Sequence, residues 1–101
     1  MIHTHNFNGI KLDIQAAGIE VDTDMEERIK KLFSRLQRFY SHISHADVYI
    51  EDKKGKSTNA KSIKIRLGVP GPDVFAEDAG DNFMALLSSV EDKLRSQLGK
   101  K

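Results

Sequence analysis

The feature that most restricts the fold of this chain is the order in which its apolar residues change period. Ile10, Leu12 and Ile14 alternate with Lys11 and Asp13, the period of two that gives a strand one buried face. Met25, Ile29, Leu32, Phe33 and Leu36 then recur at i, i+4, i+7, i+8 and i+11, the stripe of an amphipathic helix that ends near Tyr40. Asp22 or Thr23 can cap its start, where Asp24, Glu26 and Glu27 suit the positive end of the helix dipole. Period two returns at Val48 and Ile50 and again at Ile63, Ile65, Leu67 and Val69, with the polar run DKKGKSTNAK between them as a hairpin connection. Pro70-Gly71-Pro72-Asp73 is turn chemistry, because proline sets φ and glycine tolerates positive φ, and Val74-Phe75-Ala76 beyond it predicts a short further strand. Phe83, Leu87, Val90, Leu94 and Leu98 restore helical spacing, with Gly99 as the expected C-cap.

The resulting order is β-α-β-β-β-α. Half-buried strands and one-sided helices satisfy one another as a single α+β domain, a four-stranded sheet with both helices packed on one face. The first nine residues, MIHTHNFNG, keep no period and are expected as a loose leader, which leaves residues 10–101 as the domain. A chain of 101 residues has room for one modest core, and neither a repeat nor a linker interrupts it.

Several chemistries are excluded by what the chain lacks. Without cysteine there is no disulfide, thiolate zinc cluster or thiol nucleophile. No apolar run reaches the roughly 18 residues of a membrane helix and no signal peptide opens the chain, so a soluble, cytoplasmic protein without a membrane partner is expected. No G-x-x-x-x-G-K-[ST], G-x-G-x-x-G or G-x-S-x-G motif occurs. His3-x-His5 lacks a third ligand, His42 and His45 fall in the link after the first helix with no nucleophile beside them, and the adjacent acids Glu77-Asp78 and Glu91-Asp92 point apart. Neither catalysis, nor a metal, nor a cofactor, nor a small-molecule substrate is expected.

Charge is the remaining signal. Lys plus Arg is 16 and Asp plus Glu is 15, yet the charges are segregated. Residues 1–27 carry one base and six acids, residues 28–66 eleven bases and three acids, residues 67–92 six acids and no base, and residues 93–101 four bases. On the first helix Arg28, Lys31, Arg35 and Arg38 share a stripe about 80° wide, over about 120° away from the apolar stripe, and no acid lies between Arg28 and Arg38 to interleave ion pairs. Lys93, Ser96 and Lys100 align on the second helix with Arg95 to one side, while Lys64 and Arg66 point away from the core face of their strand. Lys53, Lys54, Lys56 and Lys61 populate the hairpin connection. A cationic ridge of this kind suits phosphate binding with strong salt dependence, although charge runs also serve simply as solvated faces. With no Trp and with Tyr40 and Tyr49 isolated, shape and backbone recognition of folded RNA is favoured over stacking on unpaired bases.

From about Ile10 to Lys101 the chain resembles the short ribosome hibernation promoting factors, a family that includes ribosome-associated inhibitor A and sigma-factor modulation proteins. IEVDTDMEERI, LFSRLQRFYSHI, VPGPDVFAE and EDKLRSQL carry the resemblance, in order and at the family's spacing. It implies the β-α-β-β-β-α fold, and a stress or stationary-phase factor that binds the small ribosomal subunit and its ribosomal RNA. Such a factor occupies the channel of messenger RNA and of the A-site and P-site transfer RNAs, and so inhibits translation. By position the resemblance assigns phosphate contacts to Arg35, Arg38 and Lys93; Arg28, Lys31, Lys64, Arg66, Arg95 and Lys100 rest on charge placement. Leu32 stands where the family often has a lysine and Ser96 where it has an arginine, a rearrangement that Arg28, Lys31 and Arg95 can compensate. A monomer that does not pair ribosomes unaided is expected. Two other readings stay open: a generic double-stranded RNA-binding module, and a protein-interaction module that uses the exposed sheet face.

Overall fold

Alternation along the strands dictates the layering. In the computed structural model, which describes residues 2–101 and their side chains from His5 onward, the chain forms β1 (Ile2–Phe7), β2 (Ile10–Ala17), α1 (Thr23–Phe39), β3 (His45–Asp52), β4 (Lys61–Gly68), β5 (Val74–Gly80) and α2 (Phe83–Leu98). The strands lie in the order β1-β2-β3-β4-β5; β2 and β3 pair in parallel across the α1 crossover, and the other pairs are antiparallel. Ile10, Leu12 and Ile14 of β2, Ala46, Val48 and Ile50 of β3, Ile63, Ile65 and Leu67 of β4, and Val74 and Ala76 of β5 turn one face of the sheet inward. Against it pack Ile29, Leu32, Phe33 and Leu36 of α1 and Phe83, Leu87, Val90, Leu94 and Leu98 of α2, joined by Leu86.

The helix ends follow local chemistry. Asp22, of the two expected candidates, is the N-cap of α1 and accepts from the backbone N–H of Met25 at 2.8 Å. Asn82 caps α2 by accepting from the N–H groups of Met84 and Ala85. Gly99 is the C-cap of α2 as expected, but at φ −67 it continues the right-handed turn instead of reversing it.

One expectation is corrected. The sheet has five strands, not four, because residues 2–7 pair along β2 from Ile2↔Gln15 to Phe7↔Ile10 in place of the loose leader. The joining residues Asn8 (φ 51) and Gly9 (φ 83) both take positive φ, which is the backbone of a tight two-residue hairpin turn. An edge strand needs only backbone partners on one side and need not show apolar alternation. Of its described side chains, only Phe7 packs as a partly buried apolar group on the core.

Candidate nucleic-acid interface

The two helices lie side by side and run in the same direction, as their contacts step along together. Arg35 meets Glu91, the Arg95 guanidinium sits 5.2 Å from the centre of the Phe39 ring, and that ring also approaches Gly99. Their negative C-terminal ends therefore coincide, and Arg35, Arg38, Arg95, Lys100 and Lys101 gather there, where the dipoles favour cations. The acids Asp22, Asp24, Glu26, Glu27 and Asp81 lie at the opposite, N-terminal ends. Asn59 of the lysine-rich β3–β4 connection donates its backbone N–H to Asp81. The lysines of that connection thus sit at the acidic end and do not extend the cationic one.

The cations predicted as a binding set are held in different ways. Arg28 pairs with Asp24 at 3.0 Å, a partner one turn earlier that inspection from Arg28 to Arg38 does not reveal. Arg35 donates from Nε to Glu91 Oε2 at 2.9 Å and from Nη2 to Oε1 at 2.7 Å. Glu91 is 8% exposed and is the only buried charged residue among the described residues. Its hydrogen bonds raise the Arg35 pKa further above the usual range, so that side chain stays charged. Lys93 reaches over the free edge of β5 to donate to the Glu77 backbone carbonyl at 2.9 Å and lies 3.9 Å from Asp78. Asp78 also accepts from Ser89 Oγ at 2.6 Å and from the Ala79 N–H; these bonds, with the Lys93 charge behind them, hold its pKa below the usual carboxylate range. The side chains of Lys31, Arg38 and Lys100 have no ion-pair or hydrogen-bond partner among the described residues.

Lys64 and Arg66 do not join this face. They stand on the opposite side of the sheet, Lys64 at 3.9 Å from Glu77 and 6.0 Å from the Tyr49 ring centre, and Arg66 at 5.6 Å from that of Phe75. His42 stacks edge-on against Tyr40 at the link, and His45 opens β3 with its Nδ1 3.1 Å from Ser44 Oγ. His5 Nε2 lies 3.7 Å from Glu26, while the His3 side chain lies outside the described residues.

Between α1 and α2 runs a groove of about 440 Å³, whose α1 wall carries Arg28, Lys31 and Arg35 together with the acids Asp24 and Glu27, and which is lined elsewhere by Leu32, Leu87, Met84 and Glu91. Two of its features escape the charge argument. Glu91 could have been found from sequence, since it lies four residues after Leu87 and three before Leu94, on the apolar stripe where an acid needs a partner. The exposure of Met84, 53%, had no such signal.

Comparison with known proteins finds likenesses in sequence and in fold. A family model described as sigma 54 modulation protein / S30EA ribosomal protein matches residues 12–101, which leaves β1 outside the match. The ribosome hibernation promoting factor of Klebsiella oxytoca is 29% identical over 91 residues, 90% of this chain and 92% of that protein. The ribosome hibernation promotion factor of Deinococcus radiodurans is 26% identical over 88 residues, 86% of this chain but 46% of that longer relative, so the chain spans about half of it. A ribosomal subunit interface protein from Coxiella burnetii superposes with a TM-score of 0.76 at 21% identity, covering 88% of this chain and 93% of that one. The N-terminal domain of Thermus thermophilus Protein Y does so with a TM-score of 0.71 at 20% identity, covering 86% and 93%. These two likenesses speak for the fold.

Proposed function

The chain belongs to the sigma 54 modulation protein / S30EA ribosomal protein family, and from that premise we propose that it is a ribosome hibernation factor acting on the small subunit. In this reading it occupies the channel of messenger RNA and of the A-site and P-site transfer RNAs and inhibits translation by exclusion, without turnover. The observation that carries the reading is the convergence of cations at the shared C-terminal ends of α1 and α2. Arg38 and Lys100 extend there, Lys31 stands about two turns earlier on the α1 ridge, and all three side chains lack internal partners and can neutralise phosphates. Arg28, Arg35, Lys93 and Arg95 frame them in fixed orientations. Lys64 and Arg66, on the outer face of the sheet beside Glu77 and the Phe75 ring, add little to these contacts.

Sedimentation of the purified protein with small subunits and with whole ribosomes, at about 50 and 200 mM salt, tests this reading beside a plain RNA duplex. Phosphate contacts numbering about four predict a loss on the order of a hundredfold in affinity across that range. Cell-free translation should fall in step with binding. Equal binding to the duplex would favour a generic RNA-binding module, and absence of ribosome binding at either salt would overturn the proposal.

A further inference from the structure

Arg35 is chemically unlike the free cations beside it. The Glu91 carboxylate cancels most of its charge at a distance, and an approaching phosphate meets the carboxylate as well as the guanidinium. What the pair presents is an oriented set of donors. A guanidinium has five N–H groups, of which Glu91 engages one on Nε and one on Nη2; the second on Nη2 and one on Nη1 remain as a parallel pair at the end of the fork, with the other Nη1–H to the side. The Arg35 side chain is 50% exposed and lines the interhelical groove, so this edge is accessible, while its anchor is buried. Two parallel donors match an edge with two acceptors, and in a neutral ligand the guanine O6/N7 edge is that pattern. The groove beside it takes its accessible apolar surface from the exposed Met84, with the buried Leu32 and Leu87 beneath, so that a planar base can lie against Met84, and its volume falls in the range that holds small organic groups.

We infer that the groove between α1 and α2 receives an unpaired guanine base of RNA, read by Arg35 on its two-acceptor edge while Glu91 holds the guanidinium in place. Lys31, on the same wall and without an internal partner, takes the neighbouring phosphate. Glu91 is thereby a positioning residue. This inference rests on the RNA-binding reading proposed above and narrows it, since it separates a base-reading cation from phosphate-neutralising ones.

The test uses the full chain and a labelled six-nucleotide RNA with one central guanosine, compared by fluorescence anisotropy with the same RNA carrying 7-deazaguanosine, which lacks the N7 acceptor. The wild-type protein should bind the deaza RNA about fivefold or more weakly. Arg35→Lys and Glu91→Gln should bring the two affinities together. Glu91→Gln should also steepen the salt dependence of binding by about 0.7 in log-log slope, because the released guanidinium becomes an ordinary counter-charge; a merely structural role would not move that slope. Lys31→Ala should weaken both RNAs alike, keep their ratio and lower the slope by about 0.7. Equal binding of the two RNAs by the wild type, no measurable binding of either, or a Glu91→Gln protein that keeps the preference would each overturn the inference. The RNA substitution needs no protein variant, so the outcome does not hang on folding. Sedimentation with small subunits separates the two readings: retained ribosome binding with no guanine preference removes the groove assignment alone, and loss of both removes the proposed function as well.

Discussion

The two faces of this protein carry cations under opposite conditions. On the outer face of the sheet the strand register sets neighbours directly across from one another: Asp13 opposite Asp47, Asp47 opposite Arg66, Arg66 opposite Phe75, and Tyr49 opposite Lys64, which faces Glu77. A residue in an inner strand has cross-strand neighbours about 5 Å away on both sides, so a cation there shares its field with whatever those strands bring. On α1 the neighbours of Lys31 at one turn are Glu27, Arg28 and Arg35, and no ion pair to Glu27 forms, while Arg38 has only Ser34 and Arg35 one turn before it, so the ridge from Arg28 to Arg38 keeps an excess of positive charge. Similar residue types are therefore embedded in a nearly balanced surface on one face and exposed as available charge at one end of the other. The number of cations on a face is a poor measure of its attraction for phosphate; the number without partners is a better one.

Breaking the cationic end should have the largest effect. Reversing Lys31, Arg38 and Lys100 to glutamate together is expected to weaken small-subunit binding about a thousandfold at 100 mM salt, on the order of tenfold for each phosphate no longer neutralised. Thermal unfolding should remain close to wild type, since exposed sites without partners change stability by about 0.5 kcal/mol or less. Arg35 behaves differently from these three. Arg35→Ala leaves the Glu91 carboxylate buried and unpaired, and unfolding in urea should show a loss of about 1–3 kcal/mol, discounted because the arginine end is half exposed. A charge-reversal set that includes Arg35 therefore tests stability and binding at once.

The sheet face sharpens the comparison from the other side. Lys64→Gln with Arg66→Gln should change small-subunit affinity by no more than about threefold, measured by the same sedimentation, because both cations are already balanced in place. A drop as large as that of the helical set would remove the distinction between the faces. The smallest effect concerns Asp78. Its pKa is depressed first by the Ser89 hydrogen bond, so the stability this contributes is present above the unfolded carboxylate pKa and is lost as pH falls through the lower folded value. Ser89→Ala should thus be slightly less stable than wild type at pH 7, with the gap closing as the medium is acidified below the usual carboxylate range, as read from urea midpoints across pH.

Periodicity alone determined the α1 stripe through Leu36, the α2 stripe through Leu98, the inward faces of β2 to β5 and the packing of both helices on one side, because a one-sided element has only one way to leave water. Capping was legible for the same local reason: Asp22 and Gly99 act on backbone groups within a few residues of themselves. β1 was not legible, since an edge strand is held by backbone pairing and its IHTHNF sequence need not alternate; the Asn8-Gly9 turn was its one local sign. The site divided along the same line. Which residues share a helical ridge follows from about 100° per residue, and Arg28, Lys31, Arg35 and Arg38 do share one. Which of them is free does not follow, because the partner that decides it, Glu91 for Arg35 or the Glu77 carbonyl for Lys93, lies 56 or 16 residues away in the chain and arrives only when α2 docks beside α1 and over β5. Electrostatic availability is set by neighbours within a few ångströms in space, and the tertiary fold chooses those neighbours.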